Sequence, residues 1–180
     1  AGQLNQVKIG VISDTHIADP RQHLPQAVLA AFKQVDLIVH LGDIVSLRVI
    51  DELRNICPQV MVVAGNMDQE EVRKKYPQKQ ILEILGYKVG LMHGAGPACG
   101  LPEMLSQAFS QDNCDLIIFG HSHKAMNEKI GPVLFFNPGS ATDLCAAYNS
   151  YGIIELKQKS SWPKPPGGNQ EGIEAKIIKI

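Results

Sequence analysis

The stretch Asp115-Leu116-Ile117-Ile118-Phe119-Gly120-His121-Ser122-His123 decides how the chain is read. A short run rich in Leu and Ile that stops on glycine predicts a buried strand running into a turn. Two histidines two residues apart in extended chain point to the same side, so both imidazoles can face one point in space. Neutral imidazole is the commonest protein ligand for borderline metals. Alone, the pair fits a polar surface loop equally well. Four other strand ends in the chain stop on similar chemistry, and they change that balance.

Before this stretch, apolar runs alternate with helical spacing. Residues 7–13 (VKIGVIS) are rich in β-branched side chains and predict a first strand, ending at Asp14-Thr15-His16. Leu24, Val28, Ala31 and Phe32 then follow a helical period. Residues 36–41 predict a second strand ending at Gly42-Asp43. Val49, Ile50, Leu53, Ile56 and Cys57 share a helix face, with Ser46 as the expected N-cap and Pro58 as the stop. Residues 60–64 form a third strand ending at Gly65-Asn66, and residues 70–75 read as a solvated helix with acids ahead of bases. Residues 80–85 and 87–92 flank Gly86 as a hairpin whose second strand ends at His93-Gly94. Leu101, Met104, Leu105, Ala108 and Phe109 mark another helix.

Beyond His123 the pattern is β: residues 133–136, the turn Asn137-Pro138-Gly139-Ser140, residues 151–156 and residues 173–180. Residues 160–169 (SSWPKPPGGN) read as a long mobile loop between the last two strands. Strand–helix alternation implies an α/β fold with a largely parallel sheet. The C-terminal third is expected to build a second, more antiparallel sheet packed on the first.

The bulk numbers narrow the class. At 180 residues, 44% hydrophobic and 19% charged, the chain fits one globular domain over residues 1–180. A formal net charge of -1 gives no electrostatic reason to expect nucleic acid or an anionic membrane as a partner. No apolar run approaches the roughly 20 residues of a membrane span, and no charged-then-apolar leader is visible, so a cytoplasmic location is expected. Cys57, Cys99, Cys114 and Cys145 are scattered without a Cys-x-x-Cys pair, which disfavours a zinc knuckle and suits free thiols.

The strand ends therefore carry Asp14, His16, Asp43, Asn66, His93, His121 and His123. Ligands of open α/β sheets sit at the carboxyl ends of strands, where loops converge. Singly, each residue has an ordinary explanation as a turn cap or a packed strand-end side chain. Together they offer two carboxylates, four imidazoles and one amide oxygen. That exceeds the needs of one ion and suits two sharing a carboxylate. Mixed N/O ligation without thiolate favours Mn, Fe, Zn, Co or Ni over Ca or Mg.

Asp14-Thr15-His16, Gly42-Asp43, Gly65-Asn66, His93-Gly94 and Gly120-His121-Ser122-His123 resemble, in order, the five blocks of calcineurin-like metallophosphoesterases. The short chain and the turn running on to Ala141-Thr142 resemble that family's small prokaryotic phosphodiesterase branch, which also includes a metal-poor scaffold subunit of the retromer coat. The resemblance implies a four-layer αββα sandwich of two mixed β-sheets flanked by helices. It implies one metal site from Asp14, His16, Asp43 and His123 and a second from Asp43, Asn66, His93 and His121, with Asp43 bridging. Two divalent ions per chain are implied, Mn first, with Ni, Zn, Fe or Co as alternatives. Asp43, Asn66 and His93 are then the catalytic set, and a water activated between the ions attacks the phosphorus of a small phosphodiester. Whether the chain forms a homo-oligomer is left open. The rival readings are a non-catalytic scaffold, disfavoured because all seven ligands are present, and a phosphomonoesterase or protein phosphatase.

The chain departs from the larger family pattern at two linked positions. Where that pattern reads Gly-Asp-x-x-Asp and Gly-Asn-His, this chain has Ser46 and Met67, so the usual leaving-group acid and the residue that orients it are both missing. Asp68 is a candidate substitute, although a proton beside a cation cluster is poorly held. His40 is read as a packed strand histidine or a support for the ligands, and His23 as exposed.

Overall fold

The computed structural model describes residues 5–159 and 172–180. The loop expected over residues 160–169 lies outside them. In chain order the elements are β1 (Gln6–Ile12), α1 (Gln26–Phe32), β2 (Leu37–His40), α2 (Arg48–Arg54), β3 (Val60–Val62), α3 (Glu70–Lys75), β4 (Lys79–Ile84) and β5 (Tyr87–Met92). They continue with α4 (Leu101–Ala108), β6 (Leu116–Ile118), β7 (Met126–Ile130), β8 (Val133–Asn137), β9 (Ser150–Lys157) and β10 (Ile173–Lys179).

One sheet runs β10-β9-β1-β2-β3 and the other β4-β5-β6-β8-β7. Alternation along the strands sorts their side chains into three cores. Ile9, Val11, Leu37, Val39 and Leu41 of the first sheet meet Val89, Leu91, Leu116, Ile118 and Phe136 of the second, which glues the sheets face to face. On the outer face of the first sheet, Ile12 and Ile38 pack with Val28 and Phe32 of α1 and with Val49, Ile50 and Leu53 of α2. On the outer face of the second, Ile117 and Phe135 take Leu101 and Leu105 of α4 together with Phe109. The layers are therefore helix, sheet, sheet, helix, as the family resemblance implies.

Both sheets are mixed. β1, β2 and β3 are parallel, while β9 joins β1 and β10 joins β9 antiparallel. β5, β6 and β8 are parallel, with β4 and β7 antiparallel at the two edges.

Three expectations are corrected. The C-terminal third is split between the sheets: β7 and β8 join the second sheet, but β9 pairs with the free edge of β1, with Ile154 opposite Ile9, so the last two strands complete the first sheet. Apolar alternation marks a strand but carries no information on which edge it joins. β7 was not expected at all. Its MNEKI sequence is polar, mostly exposed and, among the described residues, paired with β8 at the sheet edge, so no alternation betrays it. Ser46 is not the N-cap of α2; Leu47 holds that position with no side-chain cap, and Ser46 contributes its carbonyl to the Val49 N–H instead.

Candidate metal centre

Because β1, β2 and β3 run parallel, the loops bearing Asp14, His16, Asp43 and Asn66 leave the same edge of the first sheet. The parallel set β5, β6 and β8 likewise sends out the loops of His93, His121 and His123 and residues 138–143 together. Hydrogen bonds first knit the second edge: Gly120 N–H donates to His93 O at 3.0 Å, and the Asn137 amide donates to Gly120 O at 2.8 Å. Others tie it to the first edge. His121 N–H donates to Asp14 Oδ2 at 3.0 Å, and the Ser140 hydroxyl donates to Asp14 O at 2.8 Å.

The backbone here is held away from its ordinary wells. Asp14, His16, Asp43, His121 and His123 have φ of 53°, 45°, 52°, 69° and 56°. Each such residue costs on the order of 1–3 kcal/mol and persists only where its surroundings enforce it. Asp68 is one enforcer. It is fully buried, and its carboxylate accepts the N–H groups of Asp43, Ile44, Val45 and Gly65 at 2.7–2.9 Å. Gly65 and Gly120 are a second device, since a Cβ at either would collide with the Asp43 carboxylate or with the Ser13 hydroxyl.

The seven side chains selected from the sequence form one continuous cluster. His16 Nε2 stands 3.2 Å from His123 Nε2, which is 3.3 Å from Asp14 Oδ1. Asp43 Oδ2 stands 3.6 Å from His16 Nε2 and 3.3 Å from His93 Nε2. Asn66 Oδ1 lies 3.0 Å from both His93 Nε2 and His121 Nδ1. Asp14 Oδ1 is also 3.8 Å from His93 Nε2, so it stands between the two halves much as Asp43 Oδ2 does.

These residues fit divalent cations. Donors at about 2.0–2.2 Å from a shared ion stand roughly 3–3.5 Å from each other, close to the spacings seen. Asp14, His16 and His123 offer donor atoms within 4.8 Å of one another, and so do Asp14, Asp43 and His93. Among the described residues, Asp14 Oδ1 is buried with no hydrogen-bond partner, although three imidazoles surround it. A buried carboxylate oxygen without a partner is costly and calls for a positive charge.

The other ring nitrogens are spoken for. His93 Nδ1 lies 2.6 Å from Leu41 O, His121 Nε2 lies 2.9 Å from Gly96 O and His123 Nδ1 lies 2.7 Å from Asp143 Oδ2. Each of these nitrogens therefore carries a proton, and the partner nitrogen can offer its lone pair to a metal once any second proton on the ring has left. Asp143 was missed in the sequence, although it directly follows the turn running from Asn137 to Thr142. Its N–H is fixed by the Ser140 hydroxyl at 3.0 Å, and its Oδ1 accepts the Cys145 N–H at 2.8 Å.

Charge is redistributed accordingly. Burial disfavours the charged form of Asp43, but His93 beside it, the Met67 N–H and His16 outweigh burial and hold its pKa below the usual value. For His93, burial opposes the proton while Asp43, Asp14 and the Leu41 carbonyl together raise its pKa. His123 is pushed up to about 9, by Asp14 first, against burial and with help from Asp143.

The remaining candidates resolve simply. Asp68 is not a substitute acid, because both of its oxygens are consumed by backbone N–H groups inside the protein. His40 is fully buried, contacts the Thr15 hydroxyl at 3.1 Å and accepts the Gly42 N–H at 3.2 Å; burial lowers its pKa to about 4. It is a neutral packed histidine that braces two ligand loops. His23 is exposed, 3.4 Å from Glu52.

The raised His123 pKa has a measurable sign. Without metal this ring keeps its proton up to about pH 9, so its stabilising contribution is complete below the ordinary value of about 6.5 and fades as pH rises through 9. Metal binding runs the opposite way, because the proton must leave. Affinity for Mn²⁺ is expected to climb from pH 6.5 to 9, and Asp143→Asn to weaken binding by about 10–100-fold at pH 9. Calorimetric titrations at three pH values check both; a flat affinity would remove His123 from the ligand set.

Residues 7–159 match the calcineurin-like phosphoesterase superfamily domain. The chain belongs to the calcineurin-like phosphoesterase superfamily. A probable metallophosphoesterase of Methanocaldococcus jannaschii is 37% identical over 173 residues, covering 96% of this chain and 81% of the relative. A phosphodiesterase of the same organism is 30% identical over 168 residues, covering 85% and 95%. Among solved structures, vacuolar protein sorting 29 from Cryptosporidium parvum superposes with a TM-score of 0.75 at 22% identity, over 97% of this chain and 98% of that one. That likeness extends the superfamily's fold, not its chemistry, to this calcineurin-like chain. Among the described residues, no helix is long and apolar enough to cross a membrane.

Proposed function

We propose that the protein is a cytoplasmic phosphodiesterase that holds two divalent cations, manganese first, and hydrolyses a small phosphodiester. The observation that carries this reading is Asp14 Oδ1, buried with no hydrogen-bond partner among the described residues at the focus of His16, His93 and His123. Asp14, His16, Asp43 and His123 would hold one cation, and Asp43, Asn66, His93 and His121 the other. When bound, the cations supply Lewis acidity toward phosphoryl oxygens and make water acidic enough to attack at neutral pH.

The protein's own groups shape that chemistry. Asp43 and Asp14 set negative charge between the two halves of the cluster. Asn66 adds an oxygen without adding charge, which leaves the His93 and His121 side receptive to an anionic substrate. The Leu41, Gly96 and Asp143 oxygens hold three imidazoles in the tautomers that ligation requires. Diesters are the favoured class because a relative 30% identical to this chain is named a phosphodiesterase. With Ser46 and Met67 leaving no positioned acid, esters with weakly basic leaving groups should react fastest.

Manganese-loaded protein assayed against bis(4-nitrophenyl) phosphate, cyclic nucleotides and 4-nitrophenyl phosphate tests the reading. Diesters should be turned over faster than the monoester. Preference for the monoester would overturn the proposal, and stoichiometric metal without turnover would favour a scaffold role.

A further inference from the structure

Beside the cluster lies a cavity of about 460 Å³ between residues 122–125 and residues 143–148. Its size falls within the roughly 300–1,000 Å³ of ordinary ligand sites. It shares His123 and Asp143 with a recess of about 280 Å³ that also touches Asp14, His16, Thr142 and Leu144. The cavity is therefore within reach of a substituent on a phosphate held at the ligand cluster.

The lining is selective. Ala125, Ala146 and Ala147 are small and uncharged, and Tyr148 adds an aromatic ring that is 40% exposed. Lys179 Nζ sits 4.1 Å from the centre of that ring and steadies it. Ser122, Cys145 and Lys124 add polar groups, and the Lys124 ammonium makes no ion pair among the described residues. Leu144 stands at the recess, 97% exposed. A single exposed leucine is ordinary on a surface, but this one adjoins a site that must cover an ester arm.

We infer that this cavity is the subsite for the arm that stays on the phosphorus, and that this arm is a polar ring system of the nucleoside class. The inference rests on the phosphodiester reading and names its substrate class. Small alanine walls, one aromatic ring and a few polar groups suit a heterocycle on a sugar better than a simple alkyl chain. The departing arm belongs on the other side of the cluster. With no positioned acid, its oxygen takes its proton from water, and Met67, 60% exposed next to Asn66, marks an open side.

Two esters with the same leaving group separate the alternatives: thymidine 5′-(4-nitrophenyl phosphate) and methyl 4-nitrophenyl phosphate. With manganese-loaded protein, kcat/KM for the thymidine ester is expected to exceed that for the methyl ester by about tenfold or more. Ala146→Leu, which fills the cavity, and Tyr148→Ala, which removes its aromatic wall, should each bring that ratio toward one, with bound manganese measured in parallel. A wild-type ratio near one, or a ratio that both variants leave intact, overturns the subsite. Hydrolysis of neither ester would instead defeat the phosphodiester reading. In that event, calorimetric titration with thymidine 5′-monophosphate still decides the cavity: a Kd raised about tenfold by either variant upholds it, and an unchanged Kd removes it.

Discussion

Asp43→Ala is expected to reduce bound manganese from the proposed two ions per chain to fewer than one and to lower the proposed phosphodiester hydrolysis by ~10³-fold or more, the equivalent of several kcal/mol of lost transition-state stabilisation. The reason is position. Asp43 Oδ2 lies within 3.6 Å of His16 Nε2 and 3.3 Å of His93 Nε2, so one side chain serves both halves of the cluster. Its other oxygen accepts the Met67 N–H at 2.7 Å and so anchors the loop carrying Asn66. Alanine removes the ligand and the anchor together. Asp43→Asn separates them, since its amide oxygen can still accept the Met67 N–H while the negative charge is gone. Elemental analysis and turnover should therefore show a deep loss in both variants, with thermal stability better kept in the asparagine form. One ion or fewer at saturation in the wild type, together with a wild-type-like Asp43→Ala, would end the two-ion reading.

The seven cluster residues were legible because strand periodicity and strand-end chemistry are local in sequence. A run such as residues 115–119 announces its own end, and the parallel arrangement of α/β units brings such ends to one edge. What was not legible depends on contacts made only after folding. Asp143 acts through a ring 20 residues away, and Asp68 through backbone N–H groups 23–25 residues away and through Gly65. Neither spacing has a periodic trace. Asp68 also shows how a correct residue can be given a wrong role. Beside a metal cluster, a carboxylate suggests acid chemistry, yet this one is consumed in holding Val45 at φ 71° and its neighbours in place. The sheet assignment of β9 failed for the related reason that pairing is a property of edges, and β1 offered one.

The second large effect concerns the leaving group. A positioned acid contributes about 10²–10⁴-fold, most where the departing alkoxide is strongly basic. Met67 cannot donate a proton, Ser46 cannot orient a donor, and Asp68 is fully engaged with backbone. Wild-type kcat/KM should therefore fall steeply with leaving-group pKa, with aryl diesters fast and alkyl diesters slower by at least the factor an acid would supply. The backbone at residue 67 lies one hydrogen bond from the Asp43 carboxylate, and its side chain is largely exposed, so an imidazole there would stand beside the cluster without displacing core. Ser46→Asp with Met67→His should accordingly raise alkyl diester hydrolysis more than aryl hydrolysis and flatten the dependence. Met67→His alone should do less, because an unoriented ring spends little time in line with the departing oxygen. The measurement is kcat/KM across a series of aryl and alkyl diesters for the wild type, the single variant and the double variant. A flat series in the wild type would mean that a proton already reaches the leaving oxygen from within the site.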